Sequence, residues 1–411
     1  MGGRSFRIDN VLLPDRRAAQ TLAVRDGVVS AIGERDDAPG LARHDAAGAL
    51  LLPGFVDAHI HLDKAMLIGR CPICEGTLAE AVRLTATCKA AFTVEDVHAR
   101  ASQALEMAFR AGTRAMRTFV EVDPRAGLRG FEAIVRLKRA WSNLLDLQIC
   151  AFAQDGLTQE PETLALLAEA LQGGATVVGG CPYTDPDPER HVELIFDLAQ
   201  RFDVDADFHA DFDLDPKNSI LPKIVAETVA RSWRGRVVVG HATKFAAFAP
   251  ETRQALARDM RDAGVGLVVL PSTDAYINGD RRDPMRPRGI APAASLAEAG
   301  VSVAIATNNV QNFFTPYGDA SLLRMAQFYA NLEHLASDAE LDLAHAMIAQ
   351  SPARMIGMPQ PLLEVGRDAD FILVQATSAA DAIRRNAPVT AVVRGGRMRL
   401  WAPQQPIRRE D

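Results

Sequence analysis

Between residues 53 and 360, short apolar runs alternate with longer stretches in which apolar residues recur at i, i+3, i+4 and i+7. The short runs suit strands and the longer ones amphipathic helices, because side chains at those spacings share one helix face. Eight strands are predicted: 54–61, 113–121, 147–155, 175–183, 204–211, 236–243, 265–273 and 301–309. Helical stretches such as PETLALLAEALQGG and PERHVELIFDLAQRF lie between them. Gly112, Gly174, Gly264 and Gly300 each stand just before a strand, where glycine closes a helix. Eight strand–helix units in succession predict an α/β fold, the TIM (β/α)8 barrel. A doubly wound open sheet is the competing arrangement, and no Gly-x-Gly-x-x-Gly follows the first strand to support it.

The ends of the chain read differently. FRIDNVLL, TLAVRDGVVSAIG and DAAGALLLPG near the start alternate apolar and polar residues between turns, as do ADFILVQA and PVTAVVRGGRMRLWA near the end. Gly395-Gly396 fits a two-residue hairpin turn. The expected organisation is a barrel over 53–360 inserted into a small β-sandwich domain formed by both termini, 1–52 and 361–411.

Composition narrows the partners. Lys and Arg number 45 against 52 Asp and Glu, a net charge of −7, and no basic stripe with interleaved aromatics is present. No nucleic acid is therefore expected as a partner. The longest apolar runs, such as ALLLPGFV, fall well short of a membrane span, and the opening residues lack the apolar run of a secretory signal. Five cysteines, odd in number, suit a reducing compartment. A cytoplasmic protein with a small-molecule partner and no membrane association is expected. Cys71-Pro-Ile-Cys74 has no second pair and no thioredoxin-like surroundings, so it reads as loop packing near the barrel mouth.

Chemistry in a TIM barrel sits at the C-terminal ends of the strands. The polar residues of this chain fall there. The first predicted strand ends His59-Ile60-His61, with both rings on one side. The third ends Gln154-Asp155, the fifth His209-Ala210-Asp211, and the eighth Asn308-Asn309, while the sixth carries His241 near its end. A single strand-end histidine is ordinarily a hydrogen-bonding residue. Four of the nine histidines on one rim are a different pattern, because packed imidazoles repel once charged, and they point to a metal site. Imidazole donors completed by an oxygen ligand suit zinc or ferrous iron.

These residues resemble a known family. LLPGFVDAHIHLDKAM is similar to the first-strand signature of the amidohydrolase superfamily. The ordered set of Gln154, DFHAD, VGHAT, an eighth-strand motif and a closing β segment resembles its cytosine deaminase-like group, which includes the alkylammelide amidohydrolases. The resemblance covers nearly the whole chain. It implies one divalent metal ion, zinc or iron with manganese as an alternative, held by His59, His61, His209 and the eighth-strand residue, here Asn308. It also implies that His241 contacts or polarises metal-activated water, and that Gln154 reads a ring carbonyl and the adjacent N–H.

Two positions depart from the group. Its deaminases carry a proton-shuttling glutamate three residues after the fifth-strand histidine, and here that residue is Phe212. Asp211 and Asp213 flank it, and Asp211, which shares strand parity with His209, is the expected proton carrier. The group's eighth-strand aspartate is replaced by Asn308, which lends a carbonyl oxygen but accepts no proton. Catalytic roles are expected for His241, Asp211 and Asn308. Phe212, Phe313, Phe314 and Tyr276 are expected to form an aromatic mouth, with Lys64 placing a positive charge nearby for an anionic ring oxygen or a carboxylate. Arg117, Arg286 and Arg288 are further anion-binding candidates.

The expected activity is metal-dependent hydrolysis of a C–N bond in a small cyclic amide, amidine or amino-heterocycle. Two alternatives stay open. One is a divergent relative that binds a heterocycle with lost or altered catalysis, motivated by the two missing proton carriers. The other is an amidohydrolase that releases an alkylamine, motivated by the apolar residues around the site. Barrel hydrolases of this type often assemble, so a homo-oligomer is compatible with the sequence, although no stretch reads as an interface.

Overall fold

A computed structural model describes residues 3–14, 16, 18–33, 40–73, 75–279, 282, 284–359 and 363–403. Its strands form three sheets. β1 (Phe6–Val11), β2 (Gln20–Arg25), β3 (Val28–Gly33) and β4 (Ala42–Asp45) make the first, in the order β3-β2-β1-β4. β5 (Leu50–Leu52) leaves it for another sheet. The next eight strands are β6 (Phe55–Ile60), β7 (Thr113–Glu121), β8 (Asp146–Ala153), β9 (Val177–Gly180), β10 (Asp205–Ala210), β11 (Val237–His241), β12 (Val265–Val269) and β13 (Val303–Ile305). They lie side by side in sequence order, all parallel. β14 (Phe371–Val374), β15 (Val389–Arg394) and β16 (Arg397–Trp401) join β5 in the order β16-β15-β14-β5.

The barrel predicted from eight strand–helix units is the one observed. A parallel bridge between Ile60 and Asn308 closes it. There the Asn308 amide donates to the His59 carbonyl, and the His61 amide donates to the Asn308 carbonyl, each at 2.8 Å. Closure therefore zips Asn308 between the two histidines of β6. Most barrel-strand residues are buried, as expected where helices cover one face and packed side chains fill the other.

Three strands end about three or four residues earlier than predicted, at Gly180, Val269 and Ile305. Proline explains two of these ends. It cannot donate to the ladder and is pre-set for a first helical turn. Pro182 opens a 3-10 turn, Pro182–Thr184, and Pro271 opens the helix Pro271–Ile277.

The terminal sheets share one core, in which Phe6, Ile8, Leu22 and Val24 from the start meet Phe371, Leu373 and Val393 from the end. In the sheet containing β5, strands β5 and β14 are buried on both faces. Leu51, Phe371 and Leu373 point into this core, while Leu50, Leu52, Ile372 and Val374 pack into the barrel's own apolar layer. Alternation along a strand thus lets one sheet serve two cores. Gly395 and Gly396 lie at φ 57° and 69° between β15 and β16, the conformation a type I′ hairpin turn requires. Among the described residues, no helix is long and apolar enough to cross a membrane.

Candidate active site

Strand ends bring the four predicted histidines together. His59 Nε2 lies 3.1 Å from His209 Nε2, and His61 Nε2 lies 3.0 Å from the same atom. All three rings are buried, and they form a cluster able to hold one metal ion. Phe119 packs 4.1 Å from the His59 ring and Phe152 4.2 Å from the His209 ring, so the floor beneath them is apolar. Burial drives all three pKa values well below the usual imidazole range, and neighbouring positive groups add to this. Neutral imidazole is the metal-ligating form.

The donor chemistry fits a divalent cation. The Nδ1 atoms of these histidines and Asn308 Oδ1 are buried without hydrogen-bond partners. Asn308 lines the same pocket and sits at φ 60°, in the left-handed region that asparagine tolerates better than most residues. Gly240 matters for a neighbouring reason. A Cβ there would stand 2.7 Å from His59 Cε1, so β11 approaches the ring closely only because that side chain is absent.

The remaining pocket lining includes Lys64, Gln154, His241, Phe212 and Phe314. Lys64 Nζ donates to Glu121 Oε1 at 2.7 Å and to Gln154 Oε1 at 3.1 Å, and lies 4.6 Å over the Phe314 ring. Glu121 also accepts from Lys89, which meets Asp123 and Asp155 as well. Burial alone would raise the Glu121 carboxyl, but the ammonium groups of Lys64 and Lys89 outweigh it and bring it down to about 2. The positive charge expected of Lys64 is present, but matched. The Phe212 ring lies 3.9 Å from that of His241.

Several predicted residues are elsewhere. The Asp211 carboxylate, expected as proton carrier, accepts from Ser219 Oγ at 2.5 Å and from the Ile220 amide at 3.0 Å. Its φ of 53° breaks the alternation on which the inward placement relied. Phe313 is buried in the apolar core rather than at the mouth. Arg117 is fully buried inside the barrel, where it donates to Asp207 and Gln148 at 2.7 Å each, and offers nothing to an external anion. Tyr276, Arg286 and Arg288 line a separate cavity of about 1150 Å³ beside the pocket, which contains none of the clustered imidazoles. The pocket itself holds only about 10 Å³ of free space. Cys71 Sγ contacts Cys88 Sγ at 3.4 Å, and Cys74 lies outside the described residues.

Asp274 is a pocket neighbour that the sequence reading missed. Its Oδ1 lies 2.6 Å from His241 Nδ1, and its Oδ2 accepts from the Leu270 amide at 3.1 Å. Burial raises its pKa, partly opposed by His241. Reading 265–273 as one strand hid it. Pro271, at the first turn of a helix, was the available signal.

Comparison with known proteins agrees with this architecture. Residues 50–399 match the Amidohydrolase family. The chain is 28% identical over 367 residues to N-isopropylammelide isopropyl amidohydrolase of Pseudomonas sp. strain ADP, covering 86% of this chain and 87% of that one. It is 27% identical over 382 residues to pterin deaminase of Rhizobium rhizogenes, covering 92% and 87%. The crystal structure of 5-methylcytosine deaminase from Klebsiella pneumoniae with 5-fluorocytosine superposes with a TM-score of 0.91 at 28% identity, covering 98% of this chain and 99% of that one. With a barrel closed at Asn308, three converged imidazoles at its mouth and a family match across most of its length, the chain belongs to the amidohydrolase family.

Proposed function

We propose that this protein hydrolyses a C–N bond of a small amino- or oxo-substituted heterocycle with the help of one divalent metal ion. The convergence of His59, His61 and His209 carries the reading. These three would hold the ion, with Asn308 Oδ1 as an oxygen donor from the same pocket. Zinc and ferrous iron suit this donor set, and manganese is an alternative. Such an ion, when bound, supplies the charge that acidifies water and polarises a carbon–nitrogen centre.

The chain's own side chains would do the rest. Phe212 and Phe314 offer aromatic faces to a planar ring. Lys64 presents a cation to a ring oxygen. Gln154 Oε1 already accepts from Lys64 and its Nε2 donates to Cys181 Sγ at 3.2 Å, which fixes the amide in the wall of the pocket it lines. With Asp211 held by Ser219 and Ile220, His241 takes the proton-handling role in this reading. The amidohydrolase and deaminase activities of the relatives support the reaction class.

The test is an assay of metal-loaded protein against pyrimidines, pterins, triazines and cyclic ureas, with ammonia and alkylamine measured separately. Turnover of at least one ring is expected. No turnover across the panel, with metal confirmed bound, would overturn the proposal. A second reading, ring binding without turnover, draws on Asn308 and Phe212. It predicts saturable binding of a panel member by metal-loaded protein that forms no product.

A further inference from the structure

We infer that Asp274 is the positioning residue of this site, fixing His241 in the one tautomer that presents a proton-accepting nitrogen to the pocket. The inference rests on the proposed hydrolytic function for its catalytic consequence, but not for its structural content.

Among the described residues, no carboxylate lines the pocket. The nearby acids are committed elsewhere. Asp211 is held by Ser219 and the Ile220 amide. Asp57 accepts from Thr307 and the His59 amide. Glu121 lies between Lys64 and Lys89. Phe212 and Asn308 cannot take a proton. A proton released in the pocket therefore needs an imidazole, and three of the four have Nε2 atoms turned toward one another.

His241 is different. Its Nδ1 meets Asp274 at 2.6 Å, while the ring lies against Phe212. Asp274 is fully buried and is itself fixed by the Leu270 amide at the start of the helix Pro271–Ile277. A carboxylate only accepts hydrogen bonds, so the imidazole proton stays on Nδ1 and the lone pair is on Nε2. Nε2 is the ring nitrogen left for the pocket that His241 lines. Without Asp274, the neutral ring can place its proton on either nitrogen and turn about its side-chain bonds.

The experiment uses metal-loaded full-length protein with ¹⁵N-labelled histidine, in which the His241 signals are assigned by their loss in His241→Gln. The wild type should show Nδ1–H with a bare Nε2. Asp274→Ala should show mixed tautomers, and Asp274→Asn, which can donate as well as accept, a shifted ratio. On a substrate found in the ring panel, both variants should lose at least about tenfold in kcat, as removal of an orienting partner commonly does. KM should stay within about twofold and metal content should not change. If Asp274→Ala does not fold, Asp274→Asn carries the test. A wild-type ring with Nε2–H and bare Nδ1 would overturn the inference, as would unchanged tautomers and kcat in a folded variant. If the wild type turns over no ring but its tautomer depends on Asp274, the hydrolytic proposal fails and the positioning role stands.

Discussion

Strand β10 carries Asp205, Asp207 and His209 along one face, and the two ends of that row meet different company. Below, Arg117 reaches Asp207 at 2.7 Å and Asp205 at 3.5 Å, so opposite charges close on each other inside the barrel. Above, His209 meets His59 and His61 with their Nε2 lone pairs converging, and Asn308 Oδ1 in the same pocket is buried without a partner. Arg117 and Asp207 are as deeply buried as the three histidines, whereas Asp205 at the foot of the row is partly exposed. Only in the lower cluster does a cation meet its anions, with Asp207 Oδ1 left as one buried atom without a partner. A cluster whose charges cancel holds a shape, whereas one whose lone pairs converge is built for something to be added.

Mutations at the two clusters should therefore break different properties. The largest expected stability effect is at Arg117. Arg117→Met leaves Asp207 buried without its cation, and unfolding free energy should fall by about 3–5 kcal/mol. Replacing Arg117 and Asp207 together by apolar residues should restore most of that loss in denaturant titrations. His209→Ala should cost less in the metal-free protein while abolishing metal uptake. A loss equal to that of Arg117→Met would dissolve the distinction.

Glu121 comes next. In the folded chain its carboxyl is held near 2, below the ordinary glutamate value of about 4.3. Its contribution to stability should be complete above about pH 4.3 and disappear as the pH falls through about 2. Glu121→Gln should flatten that part of the acid unfolding curve and destabilise the protein at neutral pH, because Lys64 and Lys89 lose a shared anion.

Gly240→Ala should have a smaller effect on stability, about 1–3 kcal/mol, since a methyl group must be fitted against the His59 ring. Its signature is a concurrent loss of metal affinity by titration. The smallest expected change is at Asn308. Asn308→Asp adds one negative ligand charge and should tighten metal binding by about tenfold, or ~1.4 kcal/mol. If activity falls while affinity rises, the neutral amide is part of how this site works.

The barrel and the convergence of histidines on its rim were legible in the sequence because both follow from spacing. Periodicity located eight strands, and residues two apart, such as His59 and His61, had to share a side. Parity then misled at Asp211. The backbone turns left-handed there, and local hydrogen bonds took the carboxylate away. Arg117 looked like a ligand for anions because its partner, Asp207, is distant in sequence and adjacent only once the barrel closes. Asp274 was hidden by a run of apolar residues that continued into a proline. Pairings made by closure and by a change of element at a strand end are tertiary facts, and a periodic pattern does not contain them.

The central claim is that the upper cluster is a metal site. Its most direct test is elemental analysis of purified protein and of His209→Ala after incubation with zinc, ferrous iron or manganese. The account predicts about one equivalent of metal in the wild type, as a single three-histidine site would hold, and almost none in the variant. Wild-type protein that retains less than about a tenth of an equivalent with every metal, or a His209→Ala variant that binds as much as the wild type, would contradict it.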